Sequence, residues 1–118
     1  MPELGEMLAR LPQDSYLRVR IHMLRVQIEL IATDAYARRS GVTTAQSQIG
    51  AKLLTLLPPS SDPNWVGHYR TLKLARYCYR RSSDVLHGRA SMLGVREAVV
   101  DEWEMITEDL RRIHKQGR

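Results

Sequence analysis

Between Asp14 and Arg39 the apolar residues form two stripes rather than one. Leu17, Ile21, Leu24, Ile28, Ile31 and Ala35 recur at three- and four-residue spacing, and so do Val19, Met23, Val26 and Leu30. At about 100° per residue both sets are helical, and they lie nearly opposite each other. A helix about 37 Å long, capped by Asp14 or Ser15 and closed by Ser40-Gly41, therefore has two faces to bury. One face serves a bundle core. The other calls for a further helix or a second subunit, and a homodimer or a central helix in a monomer would each satisfy it. A chain of 118 residues holds one such core, so residues 1–118 are expected to form a single helical domain.

The rest of the chain keeps the helical period. Leu4, Met7, Leu8 and Leu11 predict a short first helix ended by Pro12. Thr43 or Thr44 is the candidate cap of a helix carrying Ala45, Ile49, Leu53, Leu56 and Leu57, stopped by Pro58-Pro59. Asp62 followed by Pro63 reads as cap and first turn of the next helix, with Trp65, Tyr69, Leu72, Ala75 and Tyr79 on its inner face. Ser82-Ser83, Gly88 and Gly94 predict a bend or pause before the last helix, which carries Val95, Val99, Trp103, Ile106, Leu110 and Ile113. There is no internal repeat and no strand-like alternation between hairpin turns. The expected fold class is all-α, an up-and-down bundle of four to five helices in a homodimer.

Charge is distributed unevenly. The formal net charge is +5. Arg70 to Arg96 contains seven basic residues and one acid, whereas Glu97 to Asp109 contains six acids and no base. Such a division fits a nucleic-acid footprint, a dimer-pairing device, or two neighbouring helices with complementary faces. The single cysteine, Cys78, excludes an internal disulfide. The start MPELGEMLAR lacks the basic and apolar regions of a secretory signal, and no apolar run is long enough to span a bilayer, so a cytoplasmic location without membrane contact is expected.

Four scattered histidines, His22, His68, His87 and His114, with one cysteine and no HExxH, make no metal ligand set. Glycine-rich phosphate loops and a serine nucleophile elbow are absent as well, so no cofactor is expected. The segment from Tyr77 to Arg89, YCYRRSSDVLHGR, is different. On a helix, Tyr77, Arg80, Asp84 and His87 share one stripe. An imidazole exchanges protons near neutrality, and a guanidinium holds a phosphate through two hydrogen bonds. Asp84 could pair with Arg80 or orient His87. Bland roles compete with these: Arg80, Arg81 and Asp84 as a solvated face, His87 as a cap beside Gly88, Tyr77 and Tyr79 as packing residues, Cys78 as a small buried apolar group, and Trp65 and Trp103 as core anchors.

Arg81-SSDVL-His87, with Arg80 one residue earlier, followed by Gly88 and by a last helix with a central Trp, resembles the HEPN superfamily, whose mark is Arg, four to six residues, His. The resemblance implies a dimeric helical bundle in which Arg and His of both subunits meet near the two-fold axis and cut RNA without a metal. It implies a toxin, phage-defence or RNA-processing role, with an antitoxin or other protein as a further partner. Arg80 or Arg81 would hold the phosphate and His87 would act as acid or base. Arg76, Arg89, Lys73 and Tyr77 are the accompanying candidates for RNA contact. Two positions depart from the pattern: Arg81 or Ser82 follows the motif arginine where a small amide or acid is common, and Arg89 stands where one branch has tyrosine. Family members that bind without cutting supply the alternative, a helical module for nucleic acid or an acidic protein.

Overall fold

The computed structural model describes residues 4–41, 48–88 and 95–116, with side chains from residue 15 onward. The described residues form four helices and no strand: α1 (Leu4–Ser40), α2 (Ile49–Leu54), α3 (Trp65–Leu86) and α4 (Glu97–Gln116). Three long helices and one short one, four among the described residues, fall within the expected four to five, with the separate first helix merged into α1.

The largest difference lies in α1, which runs through Pro12 without a break. A proline removes one backbone hydrogen bond and costs about 3 kcal/mol in a helix interior, but it need only kink the helix. The long apolar stripe downstream anchors the helix and outweighs that local cost. Gly41, with φ +73°, ends α1 and donates its N–H to Ala37 O at 2.8 Å. The Thr43, Thr44 and Ala45 positions lie outside the described residues. From Gln48 the chain forms α2, far shorter than the run of leucines predicts. Leu56 and Leu57 leave the helix because Arg39 Nη1 donates to Thr55 O and Leu57 O, at 2.9 and 3.2 Å, and ties that loop to the end of α1.

The α3 helix starts two residues later than Asp62-Pro63 implies. Asp62 Oδ1 accepts the Asn64 N–H at 2.8 Å, which makes a turn before the helix rather than a cap on it. Ser82 and Ser83 do not interrupt α3. Ser82 is fully buried and returns its hydroxyl to Tyr79 O at 2.8 Å, so its polarity is satisfied within the helix. The end comes at His87 and Gly88, the latter again at φ +73°.

Helix directions follow from the contacts. Arg20 of α1 meets Glu97, Asp101 and Glu104 at the start of α4, while Asp34 meets His114 near its end, so α1 and α4 run parallel. Their common neighbour α3 runs the other way, with Tyr79 beside Glu29 and His68 in a cleft with Ile113 and His114. The bundle is thus up, down, up, with α2 in the first crossover. Its core takes Leu17, Ile21, Leu24, Ile28 and Ile31 from α1, Leu53 from α2, Leu72, Ala75, Cys78 and Val85 from α3, and Val100, Trp103 and Leu110 from α4. The inner stripe of α1 is buried as expected. The outer stripe, Val19, Met23, Val26 and Leu30, is exposed in the protomer. Trp103 anchors the core, but Trp65 instead stacks on exposed Tyr69 at 5.0 Å, away from it. No helix among the described residues is long and apolar enough to cross a membrane.

Candidate functional site

Because α3 is continuous to Leu86, its register assigns each basic residue a direction. Leu72, Ala75, Cys78, Ser82 and Val85 take the core side, which turns Lys73, Arg76, Tyr77 and Arg80 toward solvent. The start of α2 folds back beside them. Gln48, Ile49 and Gly50 form one wall of an open groove of about 620 Å³ whose other wall is Arg76, Tyr79, Arg80, Ser83 and Asp84. A second recess of about 230 Å³, lined by Lys73, Arg76, Tyr77 and Arg80, continues it along α3. Arg76 and Arg80 belong to both.

Gly50 makes this approach feasible. A Cβ there would sit 3.1 Å from Arg76 Nε and 3.3 Å from its Cζ, so glycine leaves the space that the guanidinium occupies. Tyr79 closes the groove toward α1. Its hydroxyl donates to Glu29 Oε1, and the Arg25 guanidinium lies over its ring, 4.4 Å from the centroid. Burial, and then the hydrogen bond to Glu29, raise the phenol pKa above its ordinary value. Tyr79 is accordingly a packing residue with a fixed polar tip. Cys78 behind it is fully buried, and burial first, with Glu102 second, pushes its thiol up to about 12. It is an inert core residue.

His87 stands one turn beyond the groove, joined to it by Ser83. Its Nδ1 lies 2.8 Å from Ser83 O and 3.3 Å from Ser83 Oγ. Donation to a backbone carbonyl requires a proton on Nδ1, so Nε2 is the ring nitrogen left for another partner on the exposed ring. The ring is thus oriented by Ser83, not by Asp84. The backbone N–H of His87 also donates to Ser83 O, at 2.9 Å, which makes His87 the C-cap of α3.

Among the candidates from the sequence, Arg76, Arg80 and Asp84 line one groove, Lys73 and Tyr77 its continuation, and His87 the far end. Arg81 lines neither recess and projects about 100° round the helix from Arg80. Arg89 lies outside the described residues. Gln48, Gly50 and Ser83 were not signalled by any sequence pattern, because their part depends on the crossover folding back.

The electrostatics separate two helices. Arg20 reaches across from α1 to the acids of α4: its Nη2 pairs with Glu104 and, at 2.6 Å, with Asp101, and Nη1 lies 3.4 Å from Glu97. These hydrogen bonds, Glu104 foremost, hold its pKa well above the ordinary arginine range. Arg111 and Arg112 face Glu108 and Asp109 one turn away on the same helix. Much of the acidic block is therefore compensated by arginines of α1 and α4. On α3 the opposite holds: Arg70, Lys73, Arg76, Arg80 and Arg81 form no ion pair with any described residue. No group of three or more potential metal ligands occurs among the described residues. Comparison with protein-family models, with curated proteins and with solved structures gave no match.

Proposed function

We propose that the chain is a metal-independent endoribonuclease of HEPN type, with the α2–α3 groove as the path of a single RNA strand and His87 as the proton-transfer group. The carrying observation is a row of cations, Lys73, Arg76 and Arg80, that form no ion pair with a described residue and lead to His87, whose exposed ring has its Nδ1 held at the Ser83 carbonyl. A phosphodiester chain supplies the regularly spaced anions that such a row takes. Tyr77, with its phenol exposed beside Arg80, offers a stacking face for a base.

The chemistry follows from the groups present. His87 Nε2 accepts the proton of a ribose 2′-hydroxyl as the 2′-oxygen bonds to phosphorus. The bond from phosphorus to the 5′-oxygen breaks, leaving a 2′,3′-cyclic phosphate, and the departing oxygen takes a proton from solvent. Arg80 holds the phosphate and stabilises the charge that builds on its oxygens. The HEPN resemblance supplies the reaction class and the role as toxin, defence nuclease or processing enzyme.

The cap contact of His87 with Ser83 favours a second reading, a non-catalytic module that uses the same groove to hold RNA. One experiment separates them. The purified protein, incubated with single-stranded RNA in EDTA, is expected to cut it, and His87→Ala is expected to abolish cutting while circular dichroism stays unchanged. Salt-dependent binding without cutting supports the module, and absence of both overturns the reading of the groove.

A further inference from the structure

We infer that Trp65 and Tyr69 form a base-stacking platform at the end of the α3 track opposite His87, so that the site takes an unpaired RNA strand anchored by one splayed base. The register of α3 puts them there. At about 100° per residue Trp65, Tyr69, Lys73, Arg76 and Arg80 fall within about 80° of arc, and His87 falls inside the same arc. Two rings, three cations and an imidazole therefore follow one another along a single line of the helix. The rise is about 22 Å between Trp65 and Arg80 and about 33 Å between Trp65 and His87.

Packing does not account for the two rings. Trp65 and Tyr69 belong neither to the buried core nor to the apolar residues packed against it, and Tyr69 is 36% exposed. The rings are organised for each other instead, with centroids 5.0 Å apart and planes inclined by 11°. The Lys73 ammonium lies 5.3 Å from the Tyr69 centroid, so the stack ends on the first cation of the groove. The lining is continuous as well. A recess of about 320 Å³ has Tyr69, Lys73 and Arg76 on one wall and Gly50 and Leu54 on the other, and Arg76 lines both of the recesses that follow it.

This order of groups selects the ligand. Phosphates match the cations, and a flat heteroaromatic base adds to the stacked pair as a third ring, whichever base it is. A base within a duplex has both faces covered by its neighbours, so only an unpaired strand offers one. The 22 Å run suits a strand at the short end of the usual site sizes, about four nucleotides. With a base held at Trp65 and phosphates on Lys73, Arg76 and Arg80, the distance from the anchored base to His87 fixes which phosphate the imidazole meets. The inference rests on the reading of the α3 groove as the RNA path and extends it from charge to base recognition.

The test uses the full chain with RNA whose 2′-hydroxyls are methylated, which removes the nucleophile so that binding is read without cutting. An oligoadenylate should bind about tenfold more tightly than an abasic strand of the same length, which carries the same phosphates. It should also quench the Trp65 fluorescence over the constant signal of buried Trp103. A duplex should leave that fluorescence unchanged. Trp65→Leu should lose the preference for bases while keeping the helical spectrum and the slope of affinity against salt, and Trp65→Phe, which keeps a ring, should retain most of it. Equal affinity of the unmodified protein for the two strands, or an unaltered preference in Trp65→Leu, overturns the platform and leaves the cationic groove standing. Loss of the base preference in Trp65→Leu, in a protein that does not cut unmethylated RNA, supports the platform and refutes only the ribonuclease chemistry. No binding of either strand overturns the groove, and the platform with it.

Discussion

Replacing Arg80 and Arg81 one at a time tests the groove more sharply than any other pair of changes, because the two variants lose the same charge at adjacent positions. Seven residues of continuous helix bring Arg80 to within about 20° of His87, whereas six leave Arg81 about 120° away. Arg80 lines both recesses with Arg76, and Arg81 lines neither. Neither guanidinium is engaged in an ion pair with a described residue, so neither substitution frees a buried acid or unpicks a network. A charge-assisted contact to phosphate contributes about 1.5–3 kcal/mol, and the lower end applies at an exposed site such as this one. Arg80→Ala should therefore weaken binding of single-stranded RNA by about tenfold and reduce the slope of log K against log salt by about 0.7. If Arg80 also stabilises charge at the reacting phosphate, cleavage in EDTA should fall further, by about 100-fold. Arg81→Ala should change both by less than about threefold, the effect of net charge alone. Fluorescence anisotropy over a salt series and a gel assay of cleavage read the two quantities. Equal losses in the two variants, or a larger loss for Arg81→Ala, would refute the assignment of the groove as the RNA path.

Three other perturbations address the frame around the site. Arg20→Ala leaves Glu97, Asp101 and Glu104 facing one another on successive turns of α4, and with these acids about half-exposed the loss should be about 2 kcal/mol, or roughly 8 °C in thermal denaturation, narrowing in high salt. The Cys78 thiol, raised to about 12 by burial, should resist alkylation at pH 8 in the native protein and react fully in denaturant; since its folded pKa exceeds its unfolded one, its contribution to stability is complete below about pH 8.5 and is lost as pH rises toward 12. Gly50→Ala should leave the melting temperature unchanged or slightly raised, because helix propensity improves and a flexible guanidinium can move aside, yet it should lower RNA affinity several-fold by displacing Arg76; an unchanged affinity would remove Arg76 from the groove's function.

The buried face of α1 could be read from sequence because periodicity at 3.6 residues and burial are the same constraint seen twice. Leu17 through Ala35 had no other place to go. The helix boundaries were less legible for reasons that lie in particular contacts. Pro12 carries a strong local penalty, but local penalties decide a helix only where nothing longer-ranged opposes them. Asp62 has the composition of a cap, yet its carboxylate serves Asn64 two residues on. Leu56 and Leu57 look like a continuing stripe until Arg39, distant in sequence, binds the carbonyls around them. The site divides in the same way. The alignment of Tyr77, Arg80 and Asp84 needs only a continuous α3, and spacing alone supplies it. The orientation of His87 depends on the geometry of a helix end, and the position of Arg76 depends on a glycine across a crossover, neither of which has a signature in spacing.

The uneven charge of the sequence offered three explanations, and the arrangement of the helices decides against one of them. Adjacent basic and acidic segments on α3 and α4 invite the idea that the two helices neutralise each other. They pack together, yet the acids at the start of α4 are met by Arg20 from α1, and those nearer its end by Arg111 and Arg112 of α4 itself. Glu102 does exert a field on α3, but what it perturbs is buried Cys78, on the core side. The consequence is a separation of roles within one small bundle. Arg20 joins α1 to α4, so α3 is not required to supply counter-charge for that junction. Its arginines form no ion pair with a described residue and stay open to solvent or to an external anion.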